Sequence, residues 1–480
     1  MAELHDLTAL EQLERLRAGE LSPREPVEHY LARIDALDAG LGAFVTLTPE
    51  LALARARELE GTARSAALWG IPMADKDLVA RAGVPTRYGS RLFADYVPDA
   101  SDELALALDA TGAISLGKTN TPEFGMPSYT EPLAHVPART PYDLSRGAGG
   151  SSGGAAVAVA AGLLPVAPGS DGGGSVRIPA ASTGLVGLKP ARGRIPAGAG
   201  FGDPAGLVVP GPLARTVADA ALVLDALVGA GPYRYATAAP SWDGGAFLNA
   251  AVRGEGRFQV GVTTWSPWAT AYELELSAEA RAALDVALRE FDALGHGVEE
   301  LDLPPEEGYA PAFRTVWQAG ASGIPVADDE LDRLEPLTAW LVRRGREVSA
   351  RELADAESWL TGFERRIITA FNPFDAVLTP ALALTPRPVG WYDAEDGERN
   401  FAQQVQFTPF TSMVNVAGLP AISLPVATTE DGLPMGVQLI GRPGREDVLL
   451  AIGAQLERRL GWQLRHPPAW YEASGTRSAS

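Results

Sequence analysis

The chain contains no cysteine, so it can form no disulfide, offer no thiolate nucleophile and hold no Cys-ligated metal. Thiol-dependent amidases and nitrilases are excluded with them. Lysine is nearly absent as well. It occurs only at Lys76, Lys118 and Lys189, and arginine supplies the rest of the 40 basic residues. A buried ammonium can give up its proton and act as a base, whereas a guanidinium stays charged. Basic residues are outnumbered by 60 acidic ones, a formal charge of −20. That balance argues against a nucleic-acid partner, because phosphate binding relies on clustered Lys and Arg to displace counterions. Long hydrophobic runs are also missing, with no stretch reaching the roughly eighteen apolar residues of a spanning helix. The opening MAELHDLTALEQLERL is charged and amphipathic without an apolar centre, unlike a secretory signal. A cytoplasmic location without membrane attachment is expected.

What is present is ample core material: 480 residues, 46% of them hydrophobic. That suits two or three domains, or one large core with an insertion. Thr8 with Glu11, and Ser22-Pro23 with Glu25, read as capping boxes opening two helices. From GIPMADKDLVA at Gly70 to about Val228, short apolar runs punctuated by Gly and Pro predict alternating strands and helices. Residues 230–250 read as a loop or insertion boundary. RFQVGVTT, SAEARAALDVALREFDALG and HGVEELDL then form a strand-helix-strand unit, and residues 304–369 read as mostly helical. Strands return at FDAVLTP, AISLPVA and MGVQLIG, before a helix over Glu446 to Arg459. The division expected is an N-terminal helical segment at 1–60, a core at 61–230, an insertion at 231–370 that shapes a substrate pocket, and a return to the core sheet at 371–480.

Three motifs compete for the chemistry. GAISLGKT, Gly112 to Thr119, matches a P-loop formally and raises an ATP-binding alternative through Lys118. Its four inner residues read as strand, however, and Pro122 stands where the helix should run. GGSSG satisfies the G-x-S-x-G elbow at Ser151 or Ser152, but no strand precedes it. The downstream histidines are His296, at a helix-to-strand turn, and His466, which reads as a solvated residue of a proline-flanked tail. The third stretch, GAGGSSGGAAVAVAAGLLPVAPGSDGGGSVRIPA, sets Ser151, Ser152 and Ser175 in glycine on both sides of an apolar run. A flexible linker would not carry that run. It predicts a buried helix over Gly153 to Ala161, turning at Gly162 into a strand at Leu163 to Ala167. Both serine loops then sit at the ends of buried elements. The glycines before Ser175 can aim several N–H donors at one point, the shape of an oxyanion hole.

GGSSGG followed by DGGGSVRIPAASTGLVGLKP, with GIPMADKDL upstream, resembles the amidase signature family of serine hydrolases. The spacing of Lys76, Ser151 and Ser175 matches, and the resemblance extends through LGKTNTPEFG, NVAGLPAISLPV and GVQLIG. One departure is Gly172, where the family commonly carries Thr, Ile or Ala. The resemblance implies an α/β fold with a large mixed central sheet covered by helices on both faces, and a Ser-cisSer-Lys triad. In it Ser175 is the nucleophile, Ser151 the serine beside a cis peptide and Lys76 the base. Gly172, Gly173, Gly174 and Ser175 are the implied oxyanion hole. Ser152, Asp171 and Arg177 are implied to hold the two loops together, with plain loop hydrogen bonding as the alternative. Desolvation among short apolar residues would lower the Lys76 pKa, provided Asp75 and Asp77 point to the other side of a strand.

The expectation is thus a bacterial-type amidase that hydrolyses a carboxamide through an acyl-enzyme without metal or cofactor, and that extends to esters or carbamates. Its partner is a small-molecule amide, with a homodimer as the candidate assembly. The alternative is a glutaminase subunit that hands ammonia to a tRNA-modifying partner. The acyl pocket is expected to draw on the insertion, FGMPSYTEP and the surroundings of Trp391.

Overall fold

The computed structural model describes residues 3–195, 203–229, 238–240 and 244–472. Two helices open the chain, α1 (Ala9–Ala18) and α2 (Arg24–Leu41). Thr8 caps α1 in a complete box with Glu11. Ser22 bonds the Glu25 carboxylate through both N–H and hydroxyl, at 2.7 and 2.9 Å, and α2 begins just after Pro23. There follow β1 (Phe44–Leu47), α3 (Pro49–Glu60), β2 (Pro72–Lys76), α4 (Glu103–Ala110) and β3 (Ile114–Thr119). The strands form a small sheet ordered β1-β3-β2, with β2 parallel to β3.

The apolar helix of the serine-rich stretch is α5 (Gly153–Ala160), buried along its whole length. The strand after it is β4 (Val166–Asp171), not Leu163 to Ala167. Gly162 adopts a left-handed turn, and the N–H groups of Leu163 and Leu164 fold back onto Ala158, so the chain is still closing the helix where the sequence predicts a strand. The shift matters because β4 now runs straight into Gly172–Ser175. Next come α6 (Arg177–Thr183), β5 (Val186–Lys189), β6 (Val209–Ala214), α7 (Val217–Val228) and α8 (Phe247–Arg253). Part of the expected 230–250 loop lies outside the described residues, and its end is α8.

The strand-helix-strand unit is β7 (Gln259–Val262), α9 (Ala278–Leu294) and β8 (Gly297–Glu300). The helical region holds α10 (Tyr309–Ala321), α11 (Pro336–Glu347) and α12 (Ala350–Phe371). The chain closes with β9 (Ala376–Pro380), α13 (Gly397–Phe407), α14 (Ser412–Val416), β10 (Ala421–Thr428), β11 (Pro434–Gly441), α15 (Glu446–Leu460) and α16 (Ala469–Glu472). An eight-stranded mixed sheet, ordered β4-β6-β5-β10-β11-β9-β7-β8, gathers these strands. β7 and β8 thus extend the same sheet that β4 begins.

Strand alternation explains its two covered faces. Leu378, Ile422, Leu424, Val437 and Leu439 point into the larger core, under α7, α9 and α15. Val377, Ala421 and Ile440 point the other way, into a second core with residues of α10 and α12. Gln438, two residues before Ile440, shares that second face, and α6 packs across β5, β10 and β11. Among the described residues no helix is long and apolar enough to cross a membrane.

Candidate active site

Lys76 is the last residue of β2, Ser151 and Ser152 precede α5, and Ser175 lies between β4 and α6. The fold brings the three elements together. Lys76 Nζ donates to Ser151 Oγ at 2.7 Å and to Ser170 Oγ at 3.1 Å. Ser152 N–H donates to the Ser175 carbonyl at 3.1 Å, while the Ser152 hydroxyl meets the Ser170 backbone. The Gly150–Ser151 peptide is cis. Lys76 and Ser151 are each 2% exposed and Ser175 is 8% exposed.

Burial lowers the Lys76 pKa to about 7, and the attraction of Asp171 only partly opposes it. Asp75, its neighbour in β2, is turned away by strand alternation, and Asp77, one residue beyond the strand end, is held in the turn that follows. Asp75 holds Arg81 through two hydrogen bonds of 2.6 and 3.1 Å. Asp77 accepts from the Arg87 N–H, at 3.1 Å to one oxygen. A lysine in this setting can accept a proton near neutral pH, and Ser151 can pass it on.

A buried ion pair shapes the Ser175 loop. Arg177 has all five of its N–H donors in use: Nε and one Nη2 hydrogen on Asp171, the other on Asn415 Oδ1, and Nη1 on Thr411 O and Gln438 Oε1. Asp171 is equally engaged. Oδ1 accepts from Gly174 N–H at 2.8 Å and Asn415 at 2.9 Å, and Oδ2 accepts from Val176 N–H at 3.1 Å. The Arg177 charge holds its carboxyl well below the usual range despite full burial. Thr411 adds a 2.6 Å bond to Gly173 O.

These bonds bear unequally on the four residues expected as an oxyanion hole. The Gly174 N–H is taken up by Asp171, which leaves Gly172, Gly173 and Ser175, whose N–H groups meet no acceptor among the described residues. Gly174 instead supplies a backbone angle, φ +131°, that L side chains rarely adopt. At Gly172 the room left by a missing side chain is filled by neighbours. A Cβ there would lie 3.0 Å from Val208 and 3.6 Å from Trp317.

Two cavities meet at Ser175. The first, about 690 Å³ including its open mouth, is reached by Ser151, Ser170, Gly172, Asp203, Val316 and Ile324. The second is walled by Gly173, Ile178, Trp268, Phe313, Phe401 and Val405. Met126 and Trp317 border both. FGMPSYTEP borders the two cavities through Phe124 to Ser128. Trp391 borders neither cavity and packs against Tyr392 and Arg387.

The competing motifs find no support. Gly117, Lys118 and Thr119 are strand residues of β3, and Lys118 Nζ is bound to the Val79 carbonyl, so the P-loop match has no loop to cradle phosphate. His296 accepts from the Phe258 N–H. His466 is stacked on Trp470 at 3.9 Å and half-buried, not the solvated residue expected. The residues missed by sequence reasoning are Ser170, Asp203, Thr411, Asn415 and Gln438. Asn415 and Gln438 lie inside NVAGLP and GVQLIG, segments that carried the resemblance without a role attached.

A buried lysine-serine pair thus lies beside a serine set among glycines, where β2 packs against β4. Residues 25–450 match the Amidase family model. The chain belongs to this amidase family and is a hydrolase acting on carbon-nitrogen amide bonds. It is 38% identical to the putative amidase AmiB2 of Mycobacterium tuberculosis, over 96% of this chain and 97% of that one. It is 34% identical to a glutamyl-tRNA(Gln) amidotransferase subunit of Syntrophomonas wolfei, over 97% and 98% respectively. Among solved structures, 6-aminohexanoate cyclic dimer hydrolase complexed with substrate superposes with a TM-score of 0.88 at 32% identity, covering 98% of this chain and 100% of that one.

Proposed function

We propose that the protein hydrolyses carboxamides through an acyl-enzyme on Ser175, with Ser151 and Lys76 as the proton relay. The observation that carries this reading is the 2.7 Å contact between Ser151 and a lysine whose pKa is drawn down to about 7. Ser175 Oγ attacks the carbonyl carbon, and its proton passes through Ser151 to neutral Lys76. The N–H groups of Gly172, Gly173 and Ser175 hold the oxyanion, each contributing about 3 kcal/mol in comparable sites. Collapse breaks the C–N bond, and the leaving nitrogen takes the proton back through Ser151. Water then attacks the ester by the same relay and releases the acid. Ser152, Asp171 and Arg177 position the loops without touching the reacting atoms.

The two largely apolar cavities favour substrates with a hydrocarbon group on each side of the amide over glutamine. The test is a hydrolysis screen of the purified chain across primary amides, anilides, cyclic amides, esters, carbamates and glutamine, with Ser175→Ala as control. Turnover of apolar amides by the chain alone supports the reading. Ammonia release from glutamine only, rising with an added partner protein, would favour the alternative of a glutaminase component.

A further inference from the structure

The two cavities are not equivalent, and the difference lies in which of them reaches the relay. Both touch Ser175, but only the first touches Ser151 and Ser170. On the acyl-enzyme reading, from which this inference follows, the proton that frees the leaving nitrogen comes from Ser151 Oγ, so that nitrogen must sit at the Ser151 end of the scissile bond. The amine half then extends into the first cavity and the acyl half into the second.

The walls differ in charge as well. Among the described residues the second cavity has no ionisable side chain, only apolar groups, hydroxyls and Gln404. The first has one, Asp203. Its carboxylate is fixed by the N–H groups of Leu207 at 2.8 Å and Val208 at 2.7 Å, one on each oxygen. Each oxygen keeps a further acceptor site, and no cationic side chain pairs with the carboxylate among the described residues. A cavity that is apolar apart from the serines at its catalytic end, with one anchored carboxylate at its wall, suits an amine carrying a hydrocarbon spacer and a second, cationic group.

We propose that the first cavity is the amine subsite and that Asp203 selects leaving amines with a distal ammonium or guanidinium, while the second cavity takes an uncharged, ring-bearing or aliphatic acyl group. Substrates of this class are mono-acylated diamines and their relatives. Every atom is accounted for by hydrolysis: the C–N bond breaks, the amine leaves with the relayed proton, and water supplies the oxygen of the acid.

The experiment compares kcat/KM of the full chain for three phenylacetyl amides, made from putrescine, pentylamine and γ-aminobutyrate. A fourth amide has the ammonium moved to the acyl half. The expected order is putrescine over pentylamine by about tenfold, the worth of a charge-assisted hydrogen bond at a partly exposed site. The γ-aminobutyrate amide should be slowest, and an acyl-side ammonium should bring no gain. In Asp203→Asn the putrescine-to-pentylamine ratio should fall to within about twofold. A ratio cancels any change in the amount of folded enzyme.

Equal rates for the putrescine and pentylamine amides in the wild type would overturn the role of Asp203. A preference for the acyl-side ammonium would reverse the subsites. Labelling of Ser175 by a fluorophosphonate with no turnover of any of the four amides would reject the subsite assignment and leave the acyl-enzyme reading standing. Turnover persisting in Ser175→Ala would overturn that reading itself.

Discussion

Lys76 Nζ stands 2.7 Å from Ser151 Oγ, and among the described residues no carboxylate is hydrogen-bonded to it, its other hydrogen bonds going to the hydroxyl and carbonyl of Ser170. Removal from water therefore dominates its protonation, and its pKa falls to about 7. All three lysines are buried, but the other two end on backbone carbonyls, Lys118 on Val79 and Lys189 on Pro190. Among the described residues only the amine of Lys76 meets hydroxyls.

With the neutral amine as the proposed base, kcat/KM should fall about tenfold per pH unit below pH 7 and level off above it. Lys76→Arg should abolish activity as fully as Lys76→Ala, because guanidinium keeps the charge and donors but accepts no proton. A steady-state pH profile of the wild type with both variants checks this. Activity of the arginine variant within about tenfold of wild type, a barrier change of ~1.4 kcal/mol, would reject the relay.

Asp171→Asn leaves the Arg177 guanidinium buried without its counter-charge. Breaking such a pair costs about 3–5 kcal/mol, and the Gly174 and Val176 N–H groups lose their carboxylate acceptor with it. Chemical denaturation should show the loss directly. The wild-type carboxyl titrates lower folded than unfolded, so its stabilisation is fully present above pH ~4 and is lost as acidification carries it through the folded value. The asparagine variant should lack that acid-sensitive component.

Gly174→Ala should cost at least about a hundredfold in kcat, the effect of displacing oxyanion donors. Its Cβ would lie 2.5 Å from Thr411 Oγ1 and 2.6 Å from Ile178 Cδ1, at a φ of +131°. The neighbouring N–H groups must shift to relieve the contact. Circular dichroism and steady-state kinetics on the same sample separate this from global unfolding, which would remove both signals together.

Local signals carry far in this sequence. The Thr8 cap, the apolar helix at α5 and the final strands are readable because capping, periodicity and turn residues act over a few positions. The resemblance brings Lys76, Ser151 and Ser175 to notice, and the fold brings them together. What cannot be read depends on distant chain segments. Asn415 and Gln438 are polar residues in apolar runs until Arg177 is placed opposite them, and Asp203 has no motif around it. Leu163 and Leu164 look like strand residues, which sets the start of β4 too early, because their N–H groups are drawn back to Ala158. The surroundings of Trp391 are expected at the pocket, but Trp391 itself packs against Tyr392 and Arg387 and borders neither cavity.

Every step of the mechanism depends on Ser175 carrying the acyl group, and trapping that intermediate is the decisive measurement. The enzyme is mixed with a slowly turned-over anilide or aryl ester, quenched in acid within the first turnover, digested and mapped by mass spectrometry. The acyl mass should appear on the peptide containing Ser175 and disappear in Ser175→Ala. An acyl group mapped to Ser151 or Ser152, or single-turnover hydrolysis that never acylates the protein, would contradict it.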